Sequence, residues 1–150
     1  MKRFAQLYQE IDRTQSTNEK VSFLNAYFKE ALPQDAAWAL FFLSGYRLKR
    51  FISSQKLLAW AQEMTGYPLW LIEEVYSSVG DTAETIALLL PSCETASETE
   101  LQLGEWMEHR LLPLYEKAEE EQKKAITGYW RSLNRNEIFI LNKLLTGAFR

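Results

Sequence analysis

No stretch of this chain alternates apolar and polar residues with period two for long, and no hairpin dipeptide such as Asn-Gly occurs. A half-buried strand needs that alternation, because successive side chains point to opposite faces of a sheet. Apolar residues recur instead three and four positions apart, in blocks separated by caps, prolines and glycines. The chain reads as all-α, a compact bundle of about nine helices.

Phe4, Leu7, Tyr8 and Ile11 share one face of a first helix over 3–12. Ser16-Thr17-Asn18-Glu19 reads as a capping box, with Glu19 reaching back to Ser16. A second helix then carries Val21, Leu24, Phe28 and Ala31 up to Pro33. Asp35 is expected to open the third helix, and Ser53 or Ser54 the fourth, on Leu57, Leu58, Ala61 and Met64, with Gly66 past its end. Pro68 suits the first turn of a fifth, on Leu69, Ile72, Val75 and Val79. Asp81 with Glu84 forms a further capping box, opening a short helix that Pro91 ends. Residues 91–97 read as a linker. Ser97 and Glu100 then cap a seventh helix on Leu101, Leu103, Trp106, Met107 and Leu111, which Pro113 breaks. An eighth runs from about Glu119 to Leu133, and Asn136 opens the ninth, which lasts to Gly147.

Trp38 to Leu43 is apolar on every side, as expected of a helix buried in mid-domain. Ser44-Gly45 stops it, since glycine takes the left-handed conformation without steric penalty. Arg47, Lys49 and Arg50 follow at once, so the helix end becomes a mount for cations. A similar pattern returns 102 positions later, where Gly45 falls on Gly147, Ser44 on Thr146 and Asp35 on Glu137. Tyr27-Phe28-Lys29 likewise falls on Tyr129-Trp130-Arg131. The expected organisation is one domain over 1–150 in two pseudo-repeated halves, about 1–91 and 98–150. Two ordinary helix pairs that happen to align are the plainer alternative.

The 47% hydrophobic fraction supports a real core and the 25% charged fraction a solvated surface. Cys93 is the single cysteine and forms no internal disulfide, which makes a reducing cytoplasmic setting the default. No apolar run reaches membrane length, and the N-terminus is a polar amphipathic helix rather than a signal sequence. The net charge of −3 argues mildly against nucleic acid, but its distribution argues the other way. Between Asp35 and Glu63 there are only cations, Arg47, Lys49, Arg50 and Lys56. Between Glu121 and Glu137 there are again only cations, Lys123, Lys124, Arg131 and Arg135. Such segregation is expected to give one basic face on an acidic protein. Glu105 and His109, one helical turn apart, would share a face, yet paired Glu-x-x-His motifs are absent and no metal site is expected. The tryptophans at 38, 60, 70, 106 and 130 lie on or beside apolar stripes and are read as core rather than stacking platforms.

Four blocks carry a family resemblance. They are Phe4-Ala5-Gln6-Leu7-Tyr8 with Thr14, Ser16-Thr17-Asn18 and Lys20-Val21; Ala37-Trp38-Ala39-Leu40 with Phe42-Leu43-Ser44-Gly45, Arg47 and Lys49-Arg50; Gly80-Asp81 with Ala83 to Pro91; and Asn142 to Gly147 with Phe149-Arg150. Together they resemble the N-terminal DNA-binding domain of a bacterial ATP-dependent DNA ligase. The resemblance spans almost the whole chain, and 92–128 adds little to it. In the family the last block continues into an arginine-valine-glycine run leading to the catalytic domain, so the abrupt stop at Arg150 is read as a cut from something longer.

The resemblance implies an all-α domain that holds nicked double-stranded DNA across the minor groove, in a monomeric, cytoplasmic, nucleoid-associated ligase. Adenylation and sealing would belong to C-terminal adenylation and OB domains of the same chain, with ATP and Mg2+. No lysine here lies in the family's Lys-x-Asp-Gly motif, so the chain alone is expected to be non-catalytic and free of cofactor. The residues expected at DNA are Ser16, Thr17, Asn18 and Lys20; Ser44, Gly45, Arg47, Lys49 and Arg50; Gly80, Asp81 and Thr82; and Lys143, Thr146, Gly147 and Arg150. Helix N-termini would offer free amides and the glycines close backbone approach. Capping and helix termination explain the same serines, Asp81 and glycines without any ligand. The competing function is an α-helical protein–protein module with no nucleic-acid role.

Overall fold

The computed structural model describes residues 1–46, 48–49, 52–93 and 101–147. Nine α-helices and no strand occur among them, as expected of the all-α reading. They are α1 (Lys2–Arg13), α2 (Thr17–Glu30), α3 (Pro33–Leu43), α4 (Ser54–Thr65), α5 (Leu69–Val79), α6 (Thr82–Leu89), α7 (Leu103–Glu105), α8 (Glu119–Ser132) and α9 (Arg135–Thr146).

The short amphipathic α6 and the buried α9 pack on each other and form the centre. α4 and α5 both lie on α6, α1 joins α9 to α2, and α3 packs on α7. One continuous set of buried residues, from Met1 and Phe4 through Ile86 and Met107 to Leu145, draws on both halves of the chain. Burial of this kind contributes about 1.5–3 kcal/mol per large apolar side chain, so a core shared between the halves ties them together.

Asn142 is fully buried on α9, where an unpaired amide would cost about 1–3 kcal/mol. Its Oδ1 accepts from Trp130 Nε1 of α8 at 2.9 Å, and its Nδ2 donates to the Ala83 carbonyl of α6 at 3.4 Å. Three helices therefore meet at one side chain. No buried side-chain polar atom among the described residues lacks a partner.

Several helix ends differ from expectation. α3 begins at Pro33 with Leu32 as its cap, and Asp35 is not the opener. Asp35 is buried and accepts from the Gly104 amide at 2.8 Å. A Cβ on Gly104 would lie 2.6 Å from Gln34 Cγ, so glycine is needed there for α7 to approach α3. Asn134, not Asn136, opens α9, and it makes a full capping box with Glu137. Asn136 instead exchanges side-chain hydrogen bonds with Gln9 of α1. Ser16 does cap α2, but the Glu19 carboxylate takes its hydrogen bond from the Thr14 hydroxyl.

The expected seventh helix is not one helix. Ser97 and Glu100 lie outside the described residues, and after α7 the chain widens into a π-helix over Trp106–Leu111 and tightens into a 3-10 turn over Leu112–Glu116. Pro113 has no N–H to give and its ring crowds the preceding turn, so the regular ladder cannot run through it. The Leu112 amide reaches back to the Met107 carbonyl, five residues away.

Shifted by 102 positions, the bounds of α2 fall on those of α8, and Pro33 falls on Arg135, the first residue of α9. The starts of one helix pair thus coincide, as two ordinary helix pairs that happen to align would also give, and the environments diverge. α9 is buried along most of its length, whereas α3 buries only Asp35, Ala39 and Phe42. The mid-domain burial expected of Trp38 to Leu43 does not hold, since Leu40 is 58% exposed.

Asn142→Ala is expected to cost about 2–4 kcal/mol, because it orphans the Trp130 donor and opens a void. Asn134→Ala, which removes a half-buried cap, should cost about 1 kcal/mol. Urea unfolding followed by tryptophan fluorescence measures both, and equal losses would contradict the special role of Asn142.

Candidate nucleic-acid interface

The α2 N-terminus is built from short-range contacts. The Ser16 amide donates to Thr14 Oγ1 at 3.1 Å, and Ser16 Oγ accepts from the Glu19 amide at 3.4 Å. Helix geometry leaves the Thr17 and Asn18 amides with no intrahelical acceptor, and both residues are exposed. Two amides without an intrahelical acceptor and the positive end of the helix favour an oxyanion here, with Lys20 close by in sequence, while the Glu19 carboxylate in the first turn, held by the Thr14 hydroxyl, opposes one.

The Gly80 turn is arranged differently. Asp81 caps α6 itself, accepting from the Ala83 amide at 2.7 Å and the Glu84 amide at 3.4 Å. The amides expected to be free beside Thr82 are thus held by the protein's own carboxylate. Lys143 Nζ reaches across from α9 to form an ion pair with Asp81 and lies 5.2 Å above the Phe139 ring. Burial would raise the Asp81 pKa, but the Lys143 hydrogen bond and charge, with the two amides, outweigh it and hold the carboxyl below its ordinary 3.8. Burial first, then the charges of Asp12 and Asp81, push the Tyr8 hydroxyl above its usual value.

The structure therefore brings Gly80, Asp81 and Thr82 together with Lys143, with Thr146 and Gly147 one turn further along α9. Lys143 is only 9% exposed and Gly147 is buried, so both act from inside the fold. Ser44, Gly45 and Lys49 are exposed, and the Lys49 carbonyl accepts from the Tyr115 hydroxyl at 2.5 Å. Arg47, Arg50 and Arg150 lie outside the described residues.

The amides of Gly45 and Gly80 are not bare. Gly45 donates to the Phe42 carbonyl at 3.1 Å and Gly80 to the Tyr76 carbonyl at 2.7 Å, because a left-handed residue closes the helix with its own N–H. What these two glycines leave is room. A Cβ on either would meet nothing within 4 Å.

Long-range ion pairs dilute the basic stretches of the sequence. Lys56 meets Glu119 at 3.3 Å and Lys123 meets Glu63 at 2.5 Å. Segments segregated along the chain are thus mixed in space, and the expected continuous basic face does not include these cations. Arg110, unremarked in the sequence, lies 4.6 Å over the Trp106 ring and 5.2 Å over Tyr129. The Glu105–His109 spacing loses its meaning inside the π-helix, which turns less per residue than an α-helix. Among the described residues, no group of three or more His, Cys, Asp and Glu could hold a metal ion. No helix among them is long and apolar enough to cross a membrane.

A family model described as "DNA ligase N terminus" matches residues 1–150. The chain belongs to that family. No curated protein and no solved structure matches. The N-terminal domain of DNA ligase is helical and non-catalytic, which agrees with the architecture above.

The Asp81–Lys143 pair makes the stability of this ligase domain pH-dependent. The native Asp81 pKa is depressed, so its contribution is fully present above the unfolded value of 3.8 and is lost as pH falls through the lower native value. Asp81→Asn is expected to cost about 2–4 kcal/mol at pH 7 by leaving the Lys143 ammonium buried and unpaired. The gap between variant and parent should narrow below pH 3.8. Urea titrations at pH 7 and pH 3 measure it; a gap that does not change would contradict the pairing.

Proposed function

We propose that this domain holds nicked double-stranded DNA across the minor groove, without reading sequence, for an ATP-dependent ligase. The reading is carried by the family match over residues 1–150. The exposed amides of Thr17 and Asn18, the open turns at Gly45 and Gly80, and the cations Lys20 and Lys49 support it. Phosphate contacts position a protein without specifying sequence, which is what an enzyme acting at any nick requires. Ser16, Ser44 and Thr82 shape these turns, while Asp81 is neutralised by Lys143, so that the Gly80 turn does not repel a phosphate. Arg47, Arg50 and Arg150 would add charge, and Thr146 and Gly147 would fix the end of α9. Adenylation and sealing, with ATP and Mg2+, belong in this reading to catalytic domains of a longer chain acting in repair or replication.

A gel-shift titration on nicked duplex tests the proposal. Affinity should fall with salt at a log–log slope of about −0.9 per phosphate neutralised. Changing Arg47, Lys49 and Arg50 together to alanine should weaken binding about tenfold or more and flatten that slope by two to three contacts, on the order of one unit each. Parent affinity in the triple variant would move the contact to another face. No binding by the parent at low salt would overturn the holding role.

A further inference from the structure

α4 and α5 both rest on α6, and a groove of about 680 Å³ runs between them. Its walls are helical faces: Gln55, Leu58, Ala59 and Gln62 on one side, Leu69, Ile72, Glu73 and Tyr76 on the other. The spacing puts Leu69, Ile72, Val75 and Val79 on the apolar face of α5, but only Ile72 is buried. Leu69 is 56% exposed, and beside it Trp70, expected in the core, is 67% exposed. An apolar helix face left open to water is unfavourable by about 25 cal/mol per Å², and such patches mark sites of association.

The charge around the groove selects the partner. No Lys or Arg occurs between Lys56 and Arg110. Glu63 and Asp81 are taken up by Lys123 and Lys143, but Glu73, which lines the groove, and its neighbour Glu74 are both exposed on α5. A phosphate backbone would be repelled here. A second copy would set the same acids against themselves, because a two-fold contact pairs a patch with itself. A segment that is both apolar and cationic satisfies both features of the face. We propose that the α4–α5 groove docks a basic amphipathic helix of a partner protein, apolar side against Leu58, Leu69 and Tyr76 and cations against Glu73 and Glu74. This is the helix-in-groove mode of recognition.

The test uses a synthetic helical peptide of about 18 residues, roughly five turns, with leucines three and four apart and lysines elsewhere. Its twin carries glutamates in place of the lysines. Trp70 is the reporter, being the most exposed tryptophan: Trp60, Trp106 and Trp130 are buried and Trp38 is half-buried. The lysine peptide should shift the tryptophan emission to the blue with saturation and bind about tenfold or more tighter than its twin, as charge complementarity requires. The double variant E73K/E74K should reverse that preference while its affinity for nicked duplex stays at the parent value. Equal binding of the two peptides, binding of neither, or displacement of the lysine peptide by nicked duplex would overturn the proposal. So would a concentration-dependent dimer that the double variant abolishes in sedimentation, which would give the face to a second copy. Saturation of the groove by the ligase's own catalytic domains added in trans would assign it to the same polypeptide and also overturn it.

Discussion

The buried amide of Asn142 is the contact on which the arrangement of this ligase domain depends. It takes the Trp130 indole donor with one end and gives to the Ala83 carbonyl with the other, so α8, α9 and α6 keep one mutual register. Apolar packing alone tolerates sliding of a helix, because hydrophobic contact is non-directional. Two directed bonds from a fully buried side chain do not, since each slip would leave a polar group without water or partner. The Asp81–Lys143 pair adds a second directed link between the same two helices, nearer the surface.

These two links connect the core to the proposed DNA contacts. Gly80 and Asp81 form the turn into α6, and Gly147 closes α9, so locking α6 to α9 sets both turns in place. Asp81 takes the first amides of α6, and Lys143 then removes the charge that would oppose a phosphate. The α2 terminus works the other way. Its caps, Thr14 and Ser16, are neutral and leave the Thr17 and Asn18 amides without an intrahelical acceptor, although the Glu19 carboxylate is bonded to Thr14 beside them. In the proposed role such rigid backbone contacts would be an advantage, because they cost little conformational entropy on binding.

Much of this was legible in the sequence, because helix starts and stops are local. Ser16, Ser53 and Asp81 cap where their spacing says they should, and Gly45, Gly66, Gly80 and Gly147 end helices in left-handed conformations. What failed was long-range. Asp35 looks like a helix opener until Gly104, 69 residues away, is brought to its carboxylate. Lys56 and Lys123 look like part of a basic face until Glu119 and Glu63 arrive from other helices. Trp70 lies on an apolar stripe, but nothing in that stripe tells which helices will cover it. Residue spacing encodes a helix face; the neighbour that buries or neutralises the face is a property of the fold.

Native-state hydrogen exchange on α6 and α9 tests the locking of the two helices most directly. Slow amides at Ile86 and Ala87 and at Leu141, Leu144 and Leu145 should exchange through one opening event, with a single free energy equal to that of global unfolding. In Asn142→Ala they should fall together. Exchange of α6 at a distinctly lower free energy than α9 in the parent would mean that the helices open separately, and the Gly80 and Gly147 turns would then not be held by a common lock.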